Sequence, residues 1–109
     1  MRALIVDPTF RTVREEDVSG SLESLQQIVG GYIEAIYLDH VTPTLAGHHA
    51  YLDEGGRLKP AVAAQRWRLE GWGEAWLCGP AVVLCDDGYG AEAPATASVA
   101  QLKSLVTFL

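Results

Sequence analysis

The chain has 109 residues, of which 49% are hydrophobic, and a net charge of −6 from 14 acidic and 8 basic residues. This composition predicts a single globular domain with a small core and excludes a disordered chain. The acidic excess argues against non-specific binding of nucleic acid by the molecule as a whole. The early apolar run Ala3–Val6 is too short for a signal sequence or a membrane span, so we expect a cytoplasmic protein.

The first half of the chain predicts three strands and one helix. Arg2 to Asp7 is apolar on both faces, which predicts an interior strand, and Arg11 to Asp17 is charged, which predicts an edge strand. Ser21 is suited to cap a helix whose apolar residues recur at helical spacing until Gly30, a residue typical of helix ends. Tyr32 to Leu38 is then predicted to be a second interior strand.

The middle of the chain gives weaker signals. His48 to Asp53 is predicted to be a short strand, with Arg57 to Lys59 as a candidate hairpin partner. The run from Ala61 to Leu69 follows a proline and is rich in helix formers, so it predicts a helix. Ala75 to Cys85 is strand-like, but we expect Gly79-Pro80 to interrupt it, because proline cannot donate to a central ladder.

The last part of the chain predicts a loop and a helix. Residues 87–97 are rich in Gly, Ala and Pro, and a capping box of Ser98 and Gln101 then opens an amphipathic helix over 98–109. This helix either docks on the sheet, which we favour, or packs against a second copy in a homodimer.

The irregular order of elements predicts an α+β fold: one compact domain over 1–109, with a mixed, mostly antiparallel sheet of about five strands and two or three helices.

Four short segments carry a family resemblance: Ala3–Pro8, Ser21–Gln26, Val29–Glu34 and Gly79–Val83. Together they resemble the small phage- and plasmid-borne proteins of the family called domain of unknown function 3846. After Lys59 members of that family tend to continue with Leu-Pro-x-Asn, and this chain lacks the Asn. The resemblance implies an origin in a mobile element and a place in the cytoplasm of a bacterial host. It implies no particular activity.

Positive charge is concentrated in one segment of the chain. Residues 57–68 contain four basic residues and no acid, so the segment carries +4 while the rest of the chain carries −10. Arginine beside exposed aromatic rings is typical of interface hot spots and of platforms that stack bases. The alternative interpretation is a solvated helix face with its tryptophans in the core. The candidate contact residues are Arg57, Lys59, Arg66, Trp67, Arg68 and Trp72.

The sequence lacks familiar catalytic and metal-binding patterns. Its three histidines and two cysteines do not have zinc-finger spacing, and Cys78 and Cys85 are predicted to be reduced thiols. There is no nucleophile elbow, phosphate loop or H-E-x-x-H motif. We therefore expect no catalytic residue, no metal and no cofactor.

These patterns favour a non-enzymatic bacteriophage accessory protein that acts by binding a host or phage macromolecule. We expect the partner to be a protein rather than a nucleic acid or a membrane. The alternative is a small nucleotide- or anion-binding module that uses the basic, tryptophan-containing segment 57–76. A flat surface of tryptophan and arginine would favour a protein partner, and a concave basic pocket would favour a small ligand.

Overall fold

Two antiparallel sheets organise the chain, and a computed structural model describes all 109 residues. The larger sheet has the strand order β2-β1-β7-β4-β3, with β8 added to β7, and the smaller sheet has the order β6-β5-β9. The strands are β1 (Arg2–Asp7), β2 (Thr12–Asp17), β3 (Ile33–Tyr37), β4 (His48–Asp53), β5 (Arg66–Leu69), β6 (Leu77–Cys78), β7 (Ala81–Asp86), β8 (Glu92–Ala93) and β9 (Val106–Phe108). The helices are α1 (Leu22–Val29), α2 (Pro60–Ala63) and α3 (Val99–Lys103). The predicted α+β domain with a mostly antiparallel sheet is confirmed, and every strand pairing is in fact antiparallel.

The centre of the large sheet is buried on both faces. One face of β1 and β7 contributes Leu4, Val6 and Val83 to the main core, and the opposite face packs against α1 in a second core. The prediction of β1 as an interior strand and of β2 as a charged edge strand is confirmed. The prediction of an interior strand at 32–38 is wrong, because β3 pairs only with β4 and exposes Tyr37 and other side chains.

Helix α1 forms where the sequence predicts it. The Ser21 hydroxyl accepts a hydrogen bond from the Ser24 amide, which satisfies a free donor of the first turn. At the other end of the helix Gly30 has φ +86°, and its amide donates a hydrogen bond to the main-chain carbonyl oxygen of Gln26. This left-handed cap favours glycine and turns the chain into β3. Leu25 and Val29 face the sheet and are 2% exposed, so the helix covers one face of β1 and β7.

Most of the incorrect sequence-based predictions concern residues that form the small sheet. The helix expected over 61–69 ends at Ala63, and Arg66–Leu69 forms β5, because Trp67 and Leu69 alternate with exposed arginines. The helix expected over 98–109 ends at Lys103, and Val106–Phe108 pairs with β5. The C-terminal residues therefore pack on their own chain.

Two further predictions need correction. Residues 57–59 are not a hairpin strand, since Gly56–Leu58 forms a 3-10 turn. The strand expected over 75–85 is two strands in different sheets, β6 and β7, and Gly79-Pro80 is the point where the chain passes from one sheet to the other. Gly79 has φ +80°, a conformation that favours glycine.

Segment 94–98 is held against the large sheet by polar contacts. Arg2 donates from Nη1 to the carbonyl oxygens of Ala95 and Ala97, at 2.7 and 2.9 Å. The buried His48 ring accepts the amide protons of Thr96 and Ala97 at Nε2. Residues 87–97, predicted to be a loop, are irregular apart from the two-residue strand β8. No helix in the chain is both long enough and apolar enough to cross a membrane.

Candidate functional site

Three arginine side chains converge on Trp76. The Arg68 guanidinium carbon lies 4.4 Å from the centre of the indole ring, and that of Arg66 lies 6.0 Å from it. Arg57 donates from Nη2 to the main-chain carbonyl of Trp76 at 3.3 Å. All three arginines are exposed, and Trp76 is partly exposed. We call these four residues the Trp76 surface.

Strand register explains why these side chains meet. Successive side chains of a strand point to opposite faces, so Arg66 and Arg68 share the outer face of β5 while Trp67 points inward. In the pairing of β5 with β6, Arg66 lies opposite Cys78 and Trp67 lies opposite Leu77. Continuing this register by one residue places Trp76 opposite Arg68, at the spacing where cross-strand side chains interact.

The Trp76 surface is positively charged and has no acidic partner. None of the three arginines takes part in an ion pair; the ion pairs of the chain involve the N-terminus, Arg2, Arg14, His49 and Lys59. The surface carries +3 within a total of −6, so the rest of the chain carries −9. An opposing negative group would therefore meet three arginines that take part in no ion pair.

The shape of the Trp76 surface is open. None of the three cavities in the structure is lined by Arg66, Arg68 or Trp76. Arg57 touches only the smallest, of about 90 Å³, which carboxylates of Glu34, Asp53 and Glu54 also line. The positive charge is thus presented on a surface rather than inside a pocket.

Lys59 lies in a different place, at a groove of about 590 Å³. Its Nζ is 2.6 Å from Oδ2 of Asp53 and 3.2 Å from the carbonyl oxygen of Gly30. The Asp53 side chain is only 2% exposed and the Lys59 side chain is 47% exposed, and both residues line the groove. Glu54 also lines the groove, which gives it a net negative charge that does not suit an anion.

A second polar cluster lies on the large sheet, and the sequence patterns did not predict it. The Glu92 carboxylate accepts hydrogen bonds from the Tyr51 hydroxyl and from Nε2 of His49, the latter at 2.9 Å. Burial raises the pKa of Tyr51 above its ordinary value, and the bond to Glu92 raises this pKa further. The three side chains line one end of a cavity of about 180 Å³.

The structure brings together no group of three or more His, Cys, Asp or Glu side chains that could hold a metal ion. Cys78 and Cys85 are free thiols, one partly buried and one buried. The Cys78 Sγ lies 4.0 Å from the carbonyl oxygen of Ala63, and the Cys85 Sγ lies 3.8 Å from Oγ1 of Thr96.

A family model described as a domain of unknown function (DUF3846) matches residues 1–106 of the 109-residue chain. The chain belongs to this family. The match confirms the resemblance carried by the short segments in the first 83 residues. No curated protein and no solved structure matches the chain. The family description assigns no activity, so a function for this DUF3846 domain has to be argued from its surface.

Of the six candidate contact residues, the structure brings three together at one surface: Arg57, Arg66 and Arg68. Trp67 is 1% exposed and lies in the core, because it faces inward from β5. Trp72 packs against the core and lies beside His40, with ring centres 5.5 Å apart and ring planes inclined at 40°. Trp76, which was not among the six, supplies the ring of the surface. The period-two alternation of Arg66-Trp67-Arg68-Leu69 is the sequence signal that indicates an outward pair of arginines.

Proposed function

We propose that this DUF3846 protein is a non-enzymatic phage accessory protein of the bacterial host cytoplasm that binds an acidic segment of a partner protein. The observation that carries the proposal is the convergence of three unpaired arginines on Trp76. The phage setting rests on the resemblance of the chain to phage- and plasmid-borne proteins. The binding activity rests on the chemistry of the surface.

The arrangement of the arginines favours carboxylates. A guanidinium that stacks on an indole through its planar face keeps its N–H groups free at the edge, where they can bind a carboxylate in a bidentate way. Because the Arg68 guanidinium already lies over the Trp76 ring, part of its side-chain freedom is lost before a partner arrives. Tryptophan and arginine are the residues most enriched at interface hot spots.

Charge and shape together favour a protein segment over nucleic acid or a small anion. A duplex would extend beyond the Trp76 surface and meet a chain that carries −9 elsewhere. A small anion is usually held in a concavity, and the Trp76 surface is open. A short acidic segment of a protein can bind to the Trp76 surface alone, without extending over the negatively charged rest of the chain.

The proposal is tested by titrating fluorescent peptides rich in Asp and Glu and following their anisotropy. Arg66→Ala with Arg68→Ala should weaken binding by at least about 30-fold, which is the loss from a single hot-spot truncation worth about 2 kcal/mol, because the effects of neighbouring hot spots are not additive. The control is Lys103→Ala with Arg11→Ala, which removes the same charge from exposed positions elsewhere. This control should change the affinity by about twofold or less.

Equal weakening by the two double variants would show that only net charge matters and would overturn the assignment of the surface. Tighter binding of a duplex oligonucleotide than of any acidic peptide would also overturn it. Saturable binding of a nucleoside triphosphate, lost in the Arg66 and Arg68 variant, would favour the small-anion module instead.

A further inference from the structure

A cavity of about 180 Å³ lies on the large sheet and shares no residue with the Trp76 surface. Three rings line it, those of Tyr37, His49 and Tyr51, together with the carboxylates of Asp86 and Glu92. The other lining residues are small: Ala35, Gly90 and Ala91. We call it the tyrosine cavity.

The register of β3 and β4 places the three rings together. Tyr37 lies opposite His49 in the antiparallel pair, and Tyr51 follows His49 by two residues on the same face of β4. The ring centres of Tyr37 and His49 are 6.4 Å apart at an angle of 62°, and those of His49 and Tyr51 are 5.0 Å apart at 72°. Rings inclined to one another in this way form an angular wall rather than a stack.

The cavity has a negative lining. A carboxylate only accepts hydrogen bonds, so Nε2 of His49 carries the proton that binds Glu92. With a neutral imidazole the lining carries two negative charges, from Asp86 and Glu92, and with a protonated imidazole it still carries a net negative charge. No lysine or arginine lines the cavity. Burial is the largest cause of the raised pKa of Tyr51, and both Glu92 and Asp86 raise that pKa further, in agreement with a negative potential at this ring.

We propose that the tyrosine cavity binds the head group of a small organic cation of the alkylammonium or quaternary ammonium class. Aromatic faces attract such a cation when it lies within about 6 Å of the ring centres. The two carboxylates add a favourable charge interaction, and Ala35, Gly90 and Ala91 offer apolar contact to N-methyl groups. A trimethylammonium head with its first methylene has five heavy atoms, which occupy roughly 150 Å³ at the volume share of a water molecule, so it fits the space.

The loop that closes the cavity is ordered by its own hydrogen bonds. Oδ1 of Asp86 accepts the Gly88 amide at 2.6 Å, and Oδ1 of Asp87 accepts the amides of Tyr89 and Ala91. Glu92 is fixed by the two donors from β4. The carboxylates are therefore in place before a ligand arrives, which lowers the cost of binding.

The experiment compares choline with 3,3-dimethylbutan-1-ol, its neutral isostere in which carbon replaces nitrogen. Both are titrated into the full chain and followed by isothermal calorimetry and by amide chemical shifts. Choline should bind saturably with shifts centred on β3, β4 and residues 86–92, and the neutral isostere should bind about tenfold more weakly or worse. Ethanolamine, titrated in parallel, tells which head group is preferred; tighter binding of either cation than of the isostere supports the proposal.

Tyr37→Leu removes one wall of the cavity at a position that is 64% exposed, so the chain should fold normally. The control is Tyr89→Leu, at a tyrosine that is 95% exposed and does not line the cavity. Tyr37→Leu should weaken choline binding by about fivefold or more, and Tyr89→Leu should leave it unchanged.

Asp86→Asn keeps the acceptor for the Gly88 amide and should weaken binding severalfold. Absence of saturable binding of both choline and ethanolamine, binding of the isostere as tight as that of the tighter cation, or equal effects of the two tyrosine variants would each overturn the proposal.

Discussion

Trp67 donates its indole N–H to the carbonyl oxygen of Gly79 at 2.9 Å. The bond joins β5 of the small sheet to the residue where the chain leaves that sheet for β7. Gly79 itself has no room for a side chain, since a Cβ there would lie 2.8 Å from Cγ1 of Val62. Trp67, a candidate contact residue on the sequence patterns, therefore links β5 to the point where the chain passes between the two sheets.

Substitution of Trp67 should lower the stability of the whole domain. Trp67→Phe loses the hydrogen bond and leaves the Gly79 carbonyl without its indole donor, at a cost of about 1–3 kcal/mol in the free energy of unfolding. Trp67→Ala also leaves a cavity and should cost about 3–5 kcal/mol. Urea unfolding followed by circular dichroism measures both values. Trp76→Phe is the matched control, and a loss as large as that of Trp67→Phe would contradict the assignment of the two tryptophans.

The fold could be predicted where local signals and tertiary contacts agree. The apolar run of β1, the cap at Ser21 and the stop at Gly30 are all local, and the structure contains the elements that they predict. The run from Ala61 to Leu69 contains strong helix formers, but only Pro60–Ala63 is helical, because inward burial of Trp67 and Leu69 on a sheet outweighs helix propensity. Such burial depends on pairing with β6, beyond a turn, and with β9, which begins only at Val106.

The site was only partly predictable for the same reason. The cluster of arginines is visible in the sequence, but Trp76 joins it only through the register of β5 with β6. The tyrosine cavity combines Tyr37, Tyr51 and Glu92 from three strands, and Glu92 is 41 residues beyond Tyr51. No short motif could indicate a group assembled from such distant positions.

His48 should be required to hold segment 94–98 in place. Its Nδ1 donates to the Ala46 carbonyl, and its Nε2 accepts the amides of Thr96 and Ala97, so the ring is in one neutral tautomer. His48→Leu removes the acceptor and should cost about 1–3 kcal/mol of unfolding free energy. Amide hydrogen exchange at Ala97 should be faster in His48→Leu than in the wild type.

The control for His48→Leu is His40→Gln, since His40 is exposed. It should change the unfolding free energy by about 0.5 kcal/mol or less and leave the Ala97 amide protected. Unchanged protection of that amide in His48→Leu would show that the histidine does not hold the segment.

Removal of residues 106–109 should destabilise the chain, because this segment supplies β9. Val106 and Phe108 are partly buried against the main core, and the Leu109 amide donates to the Arg66 carbonyl at 3.1 Å. Loss of the apolar contacts alone should cost roughly 2–4 kcal/mol. Deletion of Leu109 alone, which is 57% exposed, is the control and should cost much less. Thermal unfolding of the two truncated chains measures the difference, and equal midpoints would argue against pairing of β9 with β5.

Tyr51 should make the domain less stable at alkaline pH. Its pKa is raised in the folded chain by burial and by Glu92, so the folded state holds this proton more firmly than the unfolded state does. The stability that this adds is fully present below about pH 10, the ordinary pKa of tyrosine, and is lost as the pH rises from there through the folded pKa. Above about pH 10 the wild type should therefore lose stability more steeply than Tyr51→Phe, by at most about 1.4 kcal/mol per pH unit. Urea midpoints at several pH values measure the slopes; Tyr89→Phe should keep the wild-type slope, and identical slopes for wild type and Tyr51→Phe would contradict the pKa shift.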